Sequence, residues 1–374
     1  MRRAGPIWHL GVKELWSLWR DPMMLFLVVF ALTFAVYSAG TAMPESIHRA
    51  AIAVVDEDDS ALSARIVSAF YPPHFAPPQR IALTEVDPAL DAGRYTFVLV
   101  IPSNFQRDVL AGRAPALQLN VDATRMSQAF VGSGFIQQIV LGEVAEFVQR
   151  HRAVAVQPVE LVPRVRFNPN LEPGWFGALM ELVNQITMLA VILTGAALIR
   201  EREHGTVEHL LVMPVTPTQI MLAKVWAMGV VVLFASALSL QGVIRGLLQV
   251  PVEGSVPLFL AGAALHLFAT TCMGIFLATV ARTMPQFGLL MVLVMMPLEQ
   301  LSGGLTPRES MPQWIQFVMQ FAPTTHFVDL SQAILFRAAG LSVVWPSFAA
   351  LFVIGAALFA LSLARFRRTI GGMG

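Results

Sequence analysis

Residues 23–43 read MMLFLVVFALTFAVYSAGTAM and contain no charged side chain. A helix needs about 20 mainly apolar residues to cross a bilayer, so this stretch predicts a membrane span. A cleaved signal peptide is the alternative interpretation, because Arg2 and Arg3 provide a positive start. The apolar stretch is longer than a typical signal core and begins late, which favours an uncleaved first span.

The rest of the chain contains further apolar stretches of spanning length, and its bulk composition agrees with them. Hydrophobic residues make up 56% of the 374 residues and charged residues 13%, against about 25% charged in soluble domains. The sequence therefore predicts an α-helical polytopic membrane protein with six transmembrane helices, the later ones forming a domain over residues 175–374. Spans 2–6 are placed at 175–199, 218–244, 256–281, 285–303 and 343–364.

Basic residues in the short segments predict the orientation, because lysine and arginine concentrate on the cytoplasmic side. With six spans, most of them fall on the side of the N-terminus. Both termini are therefore predicted to be cytoplasmic, in the inner membrane of a bacterium. The same-side residues are Arg2, Arg3, Lys13, Arg20, Arg200, Arg202, Lys224, Arg282, Arg365, Arg367 and Arg368; the exceptions are Arg245, Arg308 and Arg337.

Residues 1–22 are predicted to form a helix at the cytoplasmic membrane surface. Apolar residues recur there with helical spacing, and the opposite face is polar. Tryptophans on such a face favour headgroup depth. The apolar face comprises Trp8, Val12, Leu15, Trp16 and Trp19, and the polar face Lys13, Ser17 and Arg20.

Most of the charged residues lie in 44–174, where strand-like and helix-like stretches alternate. Such alternation predicts a small α/β domain with its own core. Open sheet edges do not occur in lipid, so this domain must lie outside the membrane, between spans 1 and 2. The predicted strands are 51–56, 80–86, 95–102 and 116–122, and the predicted helices 60–70, 103–112 and 125–152.

Residues 200–226 read REREHGTVEHLLVMPVTPTQIMLAKVW and connect spans 2 and 3. Thr206 can cap a short helix that Pro214 ends. Such a helix with charged residues at its start suits docking on another protein. A metal site is the alternative, but His204 and His209 are five residues apart and fall on different helix faces.

This loop resembles that of the ABC-2 type transporter permeases, R-E-R-E-x-G-T-x-E-x-L-L-V-x-P-V. Resemblance extends to 53–63, 301–316 and 322–336, where the usual tyrosine is replaced by His326 or Phe327. It implies that 203–213 form a coupling helix seated in a groove of an ATP-binding cassette subunit. The implied contact residues are Glu203, Gly205, Thr206, Glu208, Leu210 and Leu211.

The same resemblance implies the assembly. Two permease subunits, identical or related, would form one pathway, while ATP and Mg²⁺ would bind to the partner subunit and no cofactor to this chain. The chain would export an amphiphilic or drug-like substrate. The outer domain suggests contact with another periplasmic component, for which a membrane-fusion adaptor is one candidate.

Span 2 carries a polar stripe at i, i+3 and i+4 spacing, formed by Glu181, Asn184 and Gln185. Hydrogen bonding between helices is one interpretation of it. The resemblance favours another, since spans 2 and 5 line the substrate path in that family. Glu299 and Gln300, at the outer end of span 5, would then face the same cavity. His266 in span 4 is interpreted as a packing or hydrogen-bonding residue.

The lysine and cysteine content and the net charge exclude several functions. A phosphate-binding P-loop needs G-K-[ST], but the only lysines, Lys13 and Lys224, follow valine and alanine. The net charge of +1 gives no basic field for nucleic acid. Cys272 is the only cysteine, and neither a catalytic triad nor a metal site is predicted.

Two other function classes remain open. A gradient-driven secondary transporter would have internal repeats and central ion sites, and a membrane-anchored periplasmic sensor would use the outer domain for a ligand. The exporter subunit is preferred, because the sequence shows neither a repeat between its halves nor a central acidic pair, and because a sensor needs neither the loop at 200–215 nor six spans. The substrate cannot be read from the sequence.

Overall fold

The computed structural model describes residues 4–42, 50–122, 126–151, 173–203, 215–304, 306 and 308–371. The chain forms two compact units, which are described separately. One unit comprises Met1–Met43 and Arg166–Gly374, and the other comprises Pro44–Val165.

The chain begins with two helices, α1 (Ala4–Trp19) and α2 (Pro22–Thr41). Asp21 ends the first and begins the second, because its carboxylate accepts the backbone N–H of Met24 at 3.1 Å. Pro22 occupies the first turn, where its missing N–H costs nothing. α2 includes one π-helical stretch, Ala31–Ala35.

α1 has a buried face that its apolar periodicity does not indicate. The buried residues are Gly11, Glu14 and Leu18, whereas Trp16 and Trp19 are exposed. Trp16 and Trp19 are thus accessible, and the placement of α1 at the membrane surface stays a prediction. The third face, which includes an acid, packs against the protein instead.

The inserted unit contains a four-stranded mixed sheet of order β2-β1-β3-β4. β1 pairs in parallel with β2 and β3, and β3 pairs antiparallel with β4. In the register of these strands, Ile52 of β1 lies opposite Phe97 of β3, and Phe97 lies opposite Val121 of β4. The strands are β1 (Ile52–Asp56), β2 (Gln79–Arg80), β3 (Phe97–Ile101) and β4 (Gln118–Val121).

Helices cover both faces of this sheet, because alternate residues of β1 and β3 are buried on each side. On one side, Arg65 is ion-paired with Glu143 and Glu146, and its hydrogen bonds to Glu146 and Glu143 raise its pKa. These pairs tie the first helix of the unit to the last. The helices are α3 (Ala61–Ser68), α4 (Val86–Asp91), α5 (Phe105–Leu110) and α6 (Met126–His151).

The predicted strand 80–86 is wrong beyond Arg80. Leu83–Glu85 form a 3₁₀ turn that leads directly into α4. The Glu85 carboxylate accepts the backbone N–H of Ala82 at 3.0 Å, so local side-chain capping prevails over the apolar alternation.

The other unit continues as a helical bundle in which α7 and α9 are the most buried of the long helices. Apolar residues of these two helices form the centres of its hydrophobic clusters. Its helices are α7 (Pro173–Glu203), α8 (Pro217–Leu247), α9 (Val256–Val280), α10 (Met284–Gln300), α11 (Gln313–Met319), α12 (Pro323–Leu335) and α13 (Leu341–Gly371).

We call the end of the bundle at Glu203 and Pro217 the basal end, and the opposite end the distal end. α2 begins at the basal end, where Asp21 contacts Arg200, and Arg367 near the end of α13 contacts Thr218. α10 also begins there, since the Met284 N–H reaches Glu203. The long helices therefore alternate in direction through the bundle.

Among the described residues, five helices are long and apolar enough to cross a membrane, namely α2, α7, α8, α9 and α13. α10, the counterpart of predicted span 5, has 17 residues and contains Pro297. The chain is thus a helical multi-pass membrane protein, and the sixth span stays a prediction.

Candidate functional site

The predicted docking segment 203–213 connects α7 to α8 at the basal end. Of its predicted contact residues the structure describes only Glu203; Gly205, Thr206, Glu208, Leu210 and Leu211 lie outside the described residues, as do His204 and His209. The structure does describe the two helices that flank the segment, α7, which ends at Glu203, and α8, which begins at Pro217.

A buried cluster of ion pairs joins these two helices to each other and to α1. Lys224 of α8 is 2% exposed, and its Nζ lies 2.9 Å from Glu14 Oε1 and 2.8 Å from Glu201 Oε2. Glu201 also binds Lys13, at 3.2 Å. A buried ammonium is tolerated only when its charge is compensated, and here two carboxylates compensate it. The cluster fixes α1, α7 and α8 to one another.

The arginines on either side of Glu201 bind two further elements. Arg200 is paired with Asp21 at 2.5 Å, at the start of α2. Arg202 donates to the carbonyl oxygens of Ala278 and Ala281, at 3.1 and 2.9 Å. The last carbonyls of a helix lack partners and carry partial negative charge, so a guanidinium is favoured there. Arg202 therefore holds the end of α9.

Glu203 completes the set, because its carboxylate accepts the backbone N–H of Met284 at 3.0 Å. An acid at a helix N-terminus complements the helix dipole, here that of α10. After the segment, Thr216 and Gln219 cap α8 reciprocally, with 2.8 and 3.3 Å hydrogen bonds. Residues 200–203, which read RERE, thus contact α1, α2, α8, α9 and α10; we call them the RERE hub.

Aromatic stacking also attaches α1 to α8. Trp8 and Trp226 stack with ring centroids 5.1 Å apart, and Trp226 Nε1 donates to the Ile7 carbonyl at 3.3 Å. The Trp226 ring lies directly against Gly11, where an added Cβ would come within 2.1 Å of it. Only glycine leaves room for this contact.

Replacing Gly11 with alanine is expected to lower stability by about 1–3 kcal/mol, the usual cost of overpacking, because the indole must move. Gly5→Ala is the matched control: it lies in the same helix with nothing within 4 Å of its added Cβ, and alanine favours helix. Thermal melting of both purified variants measures this. Equal melting temperatures for the two would contradict the close contact.

Part of the predicted polar stripe meets α10 in the distal half of the bundle. Gln185 Nε2 donates to Glu181 Oε1 at 2.6 Å, and Glu299 lies within electrostatic range of Glu181. One oxygen of Glu299 is buried without a hydrogen-bond partner in the described part of the chain. Asn184 is half-buried and Gln300 exposed. The structure therefore brings together Glu181, Gln185 and Glu299.

His266 is buried and has a structural role. Its ring stacks on Phe327 with centroids 4.1 Å apart, and Nε2 lies 2.8 Å from Thr187 Oγ1. Within the described ranges, no three His, Cys, Asp or Glu side chains come together as a metal site.

The sequence interpretation missed the ion cluster, although one signal was present. Lys13 and Lys224 are the only lysines in a chain otherwise rich in arginine, and both bind Glu201. An ammonium is a compact charge with three rotatable donors, which suits a site between two carboxylates.

The apolar helices, joined at the basal end by the ion pairs and hydrogen bonds of the RERE hub, define a multi-pass membrane protein. Residues 22–364 match the family described as ABC-2 family transporter protein, and the chain belongs to this family. Members of this family are membrane subunits and not ATPases themselves.

Named relatives agree with this membership. The chain is 60% identical to the Escherichia coli inner membrane transport permease YhhJ, over the full length of both. It is 30% identical to the probable multidrug ABC transporter permease YbhR of the same bacterium, covering 97% of this chain and 99% of that one. With the probable multidrug permease YbhS it shares 26% identity, over 90% and 89%. These relatives and the apolar helices indicate a multi-pass inner-membrane protein.

Proposed function

We propose that this chain is the permease subunit of an ATP-driven exporter and that a separate ATP-binding cassette subunit drives it. The substrate class we propose is amphiphilic or drug-like. Family membership supports this, as do the two relatives named as probable multidrug permeases. ATP and Mg²⁺ would bind to the partner.

One observation carries the proposal: α7 is a single 31-residue helix with the RERE hub at one end and the polar stripe nearer the other. Glu181 and Arg200 are separated by about 30 Å at 1.5 Å per residue. A rigid helix of this length can convert movement of a docked subunit into movement at the stripe.

The partner would dock on residues 203–213. Glu208 would contact it by charge, and Leu210 and Leu211 by burial. Thr206 would cap the coupling helix, and Gly205 would separate this helix from α7. Support comes from Glu203, which the structure fixes to α10, and from the capping of α8 immediately beyond the segment.

The proposed topology has six spans with α10 as the fifth, and both termini in the cytoplasm. Alternation of the long helices supports it, because α10 runs from the basal to the distal end between α9 and α13. The inserted unit, Pro44–Val165, would then be periplasmic, and a membrane-fusion adaptor is a candidate partner for it. The hub would face the cytoplasm, where ATP is available.

A second permease subunit, identical or related, would complete the pathway. Glu181, Asn184 and Gln185 of α7 would border it, together with Glu299 and Gln300 of α10. The proximity of Glu181 and Glu299 supports this, because acids inside a membrane usually face a protein interior or a water-filled cavity.

Replacing Glu181, Asn184 and Gln185 together with alanine is expected to reduce transport roughly fivefold, equivalent to about 1 kcal/mol of hydrogen bonding. The measurement is the ATP-dependent export rate in vesicles, with assembly checked by gel filtration. Gln241→Ala, an exposed polar residue of α8, is the control. Normal transport of every substrate tested would show that the stripe is structural.

The proposal is tested by purifying the chain with and without its ATP-binding partner. We expect no ATP hydrolysis by the chain alone, because it lacks a P-loop, and hydrolysis by the complex. ATP hydrolysis by the isolated chain would contradict the assignment of this activity to the partner subunit. Export driven by a proton or sodium gradient without the partner would favour a secondary transporter.

A further inference from the structure

A cavity of about 440 Å³ opens at the distal end of the bundle, between the turn after α10 and helix α12. Two arginines, Arg308 and Arg337, line it together with Thr325 and the turn residues Gly303 and Gly304. Both arginines are exceptions to the charge asymmetry that orients the chain. The fold thus gathers two anomalous positive charges around one cavity.

Neither guanidinium has an ion pair within the described part of the chain. Arg245, the third exception, behaves differently. It donates to the Val252 carbonyl at 2.9 Å and to Gln241 at 3.4 Å, so it has a local structural role. Arg308 and Arg337 therefore keep donors available for a ligand.

Two further features shape the cavity for a polar group. Thr325 is 0% exposed, and its hydroxyl has no hydrogen-bond partner among the described residues. A buried hydroxyl without a partner is costly, and a ligand oxygen would satisfy it. Gly303 has φ +99°, and the stem of Arg308 packs over it, 3.0 Å from where a Cβ would be. The backbone of this turn thus positions the arginine.

One acid also lines the cavity. Asp329 accepts a hydrogen bond from Ser347 Oγ at 3.2 Å. It offsets one of the two positive charges, so the lining keeps a net charge of +1. The remaining positive charge favours an anionic ligand.

We propose that this cavity binds the phosphate of a small anion or of a lipid headgroup. Planar guanidinium groups donate paired hydrogen bonds to phosphate oxygens, and the Thr325 hydroxyl supplies a further donor. In the proposed topology the distal end of the bundle lies at the outer membrane surface, where lipid headgroups would be within reach of the cavity. The assignment does not depend on ATP-driven export, because it concerns binding to this chain alone.

The test is calorimetric titration of the full-length chain in detergent with dihexanoylphosphatidic acid and, separately, with inorganic phosphate. Dihexanoylphosphatidylcholine is the zwitterionic control. In wild type we expect phosphatidic acid to bind more tightly than phosphatidylcholine. R308Q and R337Q should each weaken binding roughly tenfold, as losing a charge-assisted hydrogen-bond pair does.

R245Q is the matched control, and we expect it to leave binding unchanged. T325V replaces the buried hydroxyl, which has no partner among the described residues, with a methyl group, so the substitution carries little risk to folding. It should also weaken binding, because the ligand loses a hydrogen-bond donor. Binding of phosphatidic acid alone identifies a lipid as the ligand, while comparable binding of inorganic phosphate shows that the free anion suffices. The proposal would be overturned if neither phosphatidic acid nor inorganic phosphate bound, or if both R308Q and R337Q kept wild-type affinity.

Discussion

Replacing Lys224 with methionine is expected to destabilise the membrane unit by about 3–5 kcal/mol, the usual result of removing one partner of a buried ion pair. The reason is that Glu14 would remain buried with no compensating charge. Detachment of α1 from α8 should accompany the loss. The measurement is the melting temperature of the purified chain, followed by gel filtration.

Lys13→Met is the matched control, because the same type of residue binds the same Glu201. Its side chain is 51% exposed, so its loss should cost only about 0–1 kcal/mol. Adding Glu14→Leu to Lys224→Met should restore much of the stability, since Glu201 keeps Lys13 and the buried acid is gone. Equal effects of the two lysine variants would mean that burial of Lys224 contributes little.

Leu211→Ala is expected to weaken binding of the ATP-binding subunit by about 2–5 kcal/mol if this leucine is buried in the partner's groove. Glu208→Arg should have an effect in the same direction, because it reverses a charge at the same surface. Insertion into the membrane should stay normal in both. The measurement is co-purification of the partner together with its rate of ATP hydrolysis.

Leu238→Ala is the control, an exposed leucine of α8 outside the docking segment. It removes the same side-chain atoms and should leave partner binding unchanged. Wild-type binding and wild-type coupling in both Leu211→Ala and Glu208→Arg would contradict the docking role of residues 203–213.

The long apolar helices could be predicted from sequence because membrane insertion depends mainly on local composition. Predicted span 256–281 and helix α9 (Val256–Val280) begin at the same residue, where Ser255 caps the helix, and their last residues differ by one position. Predicted span 285–303 corresponds to α10 (Met284–Gln300), which has only 17 residues and contains Pro297.

The ion cluster could not be predicted, because its pairing is long-range. Lys224 and Glu14 are 210 positions apart, and Lys13 and Glu201 are 188 apart. Periodicity places a residue on a helix face but does not say which helix that face meets. Glu14 was therefore overlooked, although the tryptophans beside it were assigned to a membrane surface.

Local composition was sufficient for β3 (Phe97–Ile101), a continuous apolar run of strand length that is buried at every position. Local patterns failed at 81–86, where alternation predicted a strand and Glu85 capped a helical turn instead. The anomalous arginines are an intermediate case: the sequence marks Arg308 and Arg337 as exceptions, and only the fold brings them to one cavity.

The central claim is that ATP hydrolysis on a partner subunit drives export through this chain by way of residues 203–213. The most direct measurement is substrate accumulation in inverted membrane vesicles containing the chain and its partner, with wild type and Leu211→Ala compared at equal insertion. The account predicts ATP-dependent accumulation with wild type and its loss with Leu211→Ala while the partner still hydrolyses ATP. Accumulation that proceeds without ATP, or equally with both chains, would contradict it.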